Sequence, residues 1–153
     1  MPQLVKGGKK AYGWSIVGND GRIVIPPDAF NEYGFKEDEK AFLIPGSRRS
    51  GGFGLATPRL LEDSPIFRIF LAHPELSNFQ IPEGKPVEIR SKIYCWLTIR
   101  GKSVLIPPDL LKQYGIKDKD RLLAIRGSGL SLSFAVKGPI AEEAKNHPEL
   151  PVY

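Results

Sequence analysis

GRIVIPPDAFNEYGFKEDEKAFLIPGS, from Gly21 to Ser47, occurs a second time as KSVLIPPDLLKQYGIKDKDRLLAIRGS, from Lys102 to Ser128. Displacing the chain by 81 positions sets Arg22–Pro58 against Ser103–Pro139 without a gap, and 13 of the 37 pairs are identical. The identities include Ile25-Pro26-Pro27-Asp28, Tyr33-Gly34, Phe53 and Pro58 with their counterparts. One register kept over that length, together with the apolar pattern, indicates duplication of a supersecondary unit. A period this long in two copies is a tandem pair and not a solenoid.

Working outward, Tyr12–Val17 has the alternation of a short strand, with Trp14 and Ile16 on one face. Asn19-Asp20-Gly21 is a turn, because Asn and Gly accept positive φ and Asp bonds the local backbone. Arg22–Ile25 returns as a second strand. Pro26-Pro27 ends it, since proline cannot donate to a ladder and suits the first turn of a helix. A short helix over Asp28–Tyr33 presents Ala29, Phe30 and Tyr33, and Gly34 stops it. Lys36–Glu39 is a polar turn into the strand Lys40–Ile44, and a Gly-Ser turn leads to Phe53–Ala56. The second copy repeats the order, with Leu110, Leu111 and Tyr114 on the helix, Gly115 as its stop, and strands at Arg121–Ile125 and Ser131–Val136. In the last, Leu132, Phe134 and Val136 alternate inward. Each unit is therefore strand–turn–strand–helix–strand–turn–strand. Helices are expected after each unit, at Arg59–Leu71 (broken near Ser64-Pro65) and at Ile140–Asn146. Both lead into His-Pro-Glu-Leu, at His73 and at His147, read as a helix-terminating turn.

The division predicted is a flexible basic arm over residues 1–11, a first repeat with a helical extension over 12–78, a linker over 79–86, and a second repeat with its extension over 87–153. Val87–Arg90 is a further strand candidate. The 153 residues, 41% apolar, suffice for one modest core, whereas either half alone would bury too little surface. The halves are expected to share a core or to pair with another chain, giving a monomer with an internal pseudo-dimer or a homodimer. The net charge of +5 permits a polyanionic partner. The first 80 residues carry 10 Lys+Arg against 9 Asp+Glu and the remainder 12 against 8, so the second half is the more basic. A single cysteine, Cys95, excludes an internal disulfide or a cysteine zinc site and fits a reducing cytoplasm. No signal peptide and no membrane-length apolar run is read.

The strand-turn-strand followed by Ile-Pro-Pro, a short amphipathic helix, a glycine, a polar turn and a hairpin resembles the AbrB/SpoVT/MazE-type swapped-hairpin family. The carrying motifs are GRIVIPPDAFNEYGFKEDEKAFLI and VLIPPDLLKQYGIKDKDRLLAI, and the likeness spans Tyr12–Pro58 and Ile93–Pro139. The resemblance implies a mainly β fold with short helices, in which two units interleave hairpins into one barrel, here within one chain. It also implies a transcriptional regulator or antitoxin that binds duplex DNA without catalysis or cofactor. Family members place basic side chains on the strand after the first turn and along the helix. Arg22 matches the strand position and Ser103 replaces it in the second copy. The helix positions read Phe30 and Asn31, then Leu111 and Lys112, so Lys112 alone is basic there.

The candidate DNA-contacting residues are Lys9 and Lys10 of the arm, Arg22, Arg48 and Arg49 of the Gly-Ser loop, Arg100, Lys102 and Lys112. Lysines and arginines on one face would meet phosphates, and an arginine could read guanine in the major groove. The alternative is a protein-interaction module on the same fold, with Ile66, Phe67, Ile69, Phe70 and Leu71 facing a partner. Arg48–Gly52 also has the composition of an anion-holding loop but not the lysine spacing of a P-loop. His73 and His147 lack a third metal ligand and read as turn residues. Cys95 lies in an apolar strand and reads as a core residue, and no carboxylate pair suggests acid–base chemistry.

Overall fold

The computed structural model describes residues 10–127 and 129–153. The first unit is β1 (Ala11–Ile16), β2 (Arg22–Val24), α1 (Pro27–Glu32), β3 (Lys40–Pro45) and β4 (Phe53–Ala56). Three short helices follow: α2 (Pro58–Leu61), α3 (Phe67–Leu71) and α4 (Pro74–Ser77). The second half adds β5 (Val87–Ile89), β6 (Lys92–Thr98), β7 (Ser103–Leu105), α5 (Pro108–Gln113), β8 (Arg121–Arg126), β9 (Leu132–Ala135) and α6 (Pro139–Ala144). The protein is mainly β with short helices, and both copies show the expected order of elements.

Local chemistry explains the repeated turns. Pro27 and Pro108 open α1 and α5 at the first helical position, where a missing N–H costs nothing. Gly34, at φ +66°, closes α1 while the Phe35 amide donates back to the Phe30 carbonyl at 3.0 Å, and Gly115 at φ +73° ends α5 in the same way. The first His-Pro-Glu-Leu follows the end of α3 at Leu71, as expected, and its Pro74 also opens a further short helix, α4. The second, after α6, is the turn expected.

The strands form an antiparallel seven-stranded sheet in the order β1-β8-β9-β4-β3-β6-β5 and a two-stranded ribbon, β2-β7. Among the described residues the strands do not close into the expected barrel. The ribbon stands as its own sheet, and the large sheet ends at β1 and β5. The C-terminal tail covers the β1 edge: the Trp14 amide donates to Pro151 O at 2.9 Å, Tyr153 N to Trp14 O at 2.7 Å, and Ile16 N to Tyr153 O at 3.0 Å. These bonds satisfy an edge that would otherwise offer unpaired groups to another chain.

Apart from the hairpins β3–β4, β8–β9 and β5–β6, each strand pairing joins one half to the other: β1 with β8, β3 with β6, β4 with β9 and β2 with β7. In the ribbon Ile23 faces Val104, its counterpart 81 positions on. In β4–β9, however, Gly54 faces Ser133, so the centre there relates residues 79 apart. The loop from Arg126 to Leu132 is two residues shorter than that from Pro45 to Phe53, and the register is regained before Pro139. Phe53 and Phe134, counterparts in the gapless alignment, are instead neighbours across the junction, stacked with centroids 5.0 Å apart.

The sheet is buried on both faces, which is why AFLI and LLAI read as continuous apolar runs instead of alternating. One face joins the ribbon, α1 and α5 in a core containing Leu43, Leu55, Phe134, Ile23 and Ile106. On the other face, Phe42, Tyr94 and Trp96 lie with Leu61, Phe70 and Leu76 of α2, α3 and α4, while Trp14 and Leu123 lie with Ala144 of α6. Trp14 faces Leu123 and Trp96 faces Phe42, so the tryptophans hold matching places. Residues 79–86, expected as a linker, are packed on the sheet. Phe79 stacks on Phe42 at 5.4 Å, Trp96 Nε1 donates to Ile81 O at 2.6 Å, and Gly84 N donates to Trp96 O at 3.0 Å.

Candidate nucleic-acid interface

Arg22 projects from β2, exposed, and its Nη1 donates to Ser103 Oγ at 2.9 Å. Ser103 is 2% exposed and its hydroxyl donates onward to the Arg100 carbonyl at 2.7 Å. Ser103 is thus the counterpart of Arg22 in the repeat and also its hydrogen-bond partner across the ribbon. A second arginine at 103, diagonal to Arg22 in the ribbon, would set like charges side by side. The alignment singled out this replacement, but its use as a positioning hydroxyl needs the β2–β7 pairing to be seen.

Arg22 and Arg100 line one open cleft of about 440 Å³, together with Asp20, Glu83, Ser103 and Leu105. Lys112 on α5 lines an adjoining depression that shares Asp20 with the first. Lys102 stands at the ribbon's end, where its carbonyl accepts from the Ile25 amide at 2.9 Å and its Nζ lies 5.4 Å from the Phe30 ring centroid. Asp118 lines the Lys112 depression, whereas three other carboxylates accept from backbone amides. Glu37 accepts from the Gly101 and Lys102 amides, both at 2.7 Å, and Glu83 from Thr98 N at 2.7 Å. Asp20 accepts from Arg22 N at 3.1 Å and lies 3.7 Å from Arg22 Nε. With both side chains more than half exposed, that ion pair is worth at most about 1 kcal/mol and can be exchanged for a phosphate. Among the described residues Arg100, Lys102 and Lys112 have no carboxylate within ion-pair distance.

The remaining candidates lie elsewhere. Arg48 and Arg49 are exposed in the β3–β4 loop, and Arg49 lines a separate cavity beside α6. Lys10 precedes β1, its carbonyl accepting from Arg126 N at 2.9 Å. Lys9 and the rest of the arm before it fall outside the described residues. The proposed partner segment Ile66–Leu71 places Phe70 wholly inside, stacked on Phe42 at 4.2 Å, with Ile66, Phe67 and Ile69 partly buried; Leu71 is 61% exposed.

Cys95 is fully buried and burial pushes its thiol up to about 12, so it is no nucleophile near neutral pH. Native protein at pH 8 should resist labelling by a disulfide reagent, with modification appearing on addition of urea; rapid native labelling would contradict this packing. His73 Nδ1 sits 3.0 Å from Ile69 O. His147 lies between Glu149 (2.8 Å) and Glu143 (3.4 Å), and the Glu149 hydrogen bond raises its pKa. No cluster of three metal-ligating side chains occurs among the described residues, and none of their helices is long and apolar enough to cross a membrane. No protein-family model matches the chain, and no curated protein matches it significantly.

Proposed function

We propose that this chain is a cytoplasmic, DNA-binding transcriptional regulator of the AbrB-like, swapped-hairpin class, contacting duplex DNA through the face around β2–β7. The observation that carries the reading is the cleft in which Arg22 of one half and Arg100 of the other stand together, with Lys112 in the adjoining depression. The crossed pairing of the halves supports the class, since one chain then supplies both units that the family takes from two. Binding needs no cofactor: guanidinium and ammonium groups meet phosphates, and an arginine fork fits guanine O6 and N7.

Anisotropy titrations of a mixed-sequence duplex across a salt series test this. Log affinity should fall linearly with log salt, by about 0.9 for each phosphate contacted. Arg22→Ala should reduce that slope by about one. No binding at low salt would remove the proposal, and an unchanged slope in the variant would remove Arg22 from the interface. The second reading, a protein-interaction module, is favoured by one feature, the exposed Leu71 on α3. A complex abolished by Leu71→Asp, in a protein that ignores DNA, would establish it.

A further inference from the structure

The cavity beside α6 shares no residue with the Arg22 cleft. It encloses about 340 Å³, at the small end of ligand clefts, and has a divided lining. Arg49, Lys137 and Ser133 supply donors, whereas Ile125, Pro139 and Ile140 supply an apolar wall. No carboxylate lines it, and among the described residues none lies within ion-pair distance of Arg49 or Lys137. Glu142 of α6 is engaged with Lys145 at 3.0 Å.

The two main-chain segments that carry Arg49 and Lys137 are joined to each other. Ser50 O accepts from the amides of Val136 and Lys137, at 2.9 and 3.0 Å, which locks the Arg49 loop to the segment carrying Lys137. A Cβ at Gly52 would come within 1.9 Å of Phe134 O, and one at Gly138 within 2.7 Å of Arg49 O, so the two segments meet as closely as glycine allows. Two exposed cations beside an apolar wall, with no carboxylate partner among the described residues, fit a ligand with one anionic end and one compact apolar end. Inorganic phosphate would leave the wall wet, and a neutral hydrocarbon would leave the cations unused.

We propose that this cavity binds a small organic acid, a carboxylate on a short alkyl or aryl body, separately from nucleic acid. Benzoate, benzyl alcohol and inorganic phosphate are the probes, titrated into ¹⁵N-labelled full-length protein and followed by amide shifts. Benzoate should saturate shifts at Gly51, Gly52, Ala135 and Gly138, and bind about tenfold or more tighter than either other probe. Arg49→Ala should weaken benzoate by a similar factor. Ile140→Ser should weaken benzoate without affecting phosphate. Absence of these shifts, equal affinity for benzyl alcohol, equal affinity for phosphate, or an indifferent Arg49→Ala protein with a native spectrum would each overturn the assignment.

Discussion

Phe42→Ala is expected to lower the unfolding free energy by about 3–5 kcal/mol, the range for emptying a large aromatic site in a packed core. Phe42 is fully buried in β3, at the point where separate parts of the chain converge. Phe70 of α3 stacks on it at 4.2 Å, Phe79 at 5.4 Å, and Trp96 of β6 faces it in the ladder. Truncation therefore loosens the outer helices, the 79–86 segment and a cross-half strand pair together, and the rings around the void cannot all close in. Urea denaturation measures the change. Leu71→Ala, on the same helix but exposed, should stay within about 0.5 kcal/mol. A loss below about 1 kcal/mol for Phe42→Ala would mean that this face of the sheet is not packed as described.

Gly21→Ala should cost about 2–4 kcal/mol and, if the proposed function holds, also weaken duplex binding. Gly21 has φ +87°, and an added Cβ would lie 2.2 Å from Ile106 O. The strained conformation costs about 1–3 kcal/mol, and the backbone shift needed to relieve the clash weakens the Ile106 N–H bond to Gly21 O, worth about 1 kcal/mol. Arg22 is the next residue, so the same shift moves its guanidinium away from Ser103. Gly101→Ala is the matched control: φ is +61° but no atom lies within 4 Å of the new methyl, and the cost should be about 1 kcal/mol. Equal destabilisation by the two substitutions would show that conformation alone, without the close approach to Ile106, governs Gly21.

Much of the element order was legible because its signals are local. A proline pair before a helix, a glycine after it, and an Asn-Asp-Gly turn each act over a few residues, and the duplication let each be read twice. The apolar runs in β3 and β8 announced burial, but a run of four cannot say which face meets which partner. The candidate arginines were visible as charges. Their sorting was not, because Arg49 and Arg22 differ only in which remote segments line their cavities: Pro139 and Ile140 for one, Ser103 with Glu83 and Gly84 for the other.

The chain's own residues determined that it is mainly β, built from two like units, with helices opened by proline and closed by glycine, since those outcomes depend on backbone preferences within one turn. Tertiary structure decided the rest. Each half seats its strands against the other, the C-terminal tail takes the edge of β1, and Phe53 and Phe134 meet as neighbours while occupying unlike places in their units. Those outcomes depend on apolar faces that find cover only across long stretches of sequence, where the energy is shared among many contacts and no single residue announces its partner.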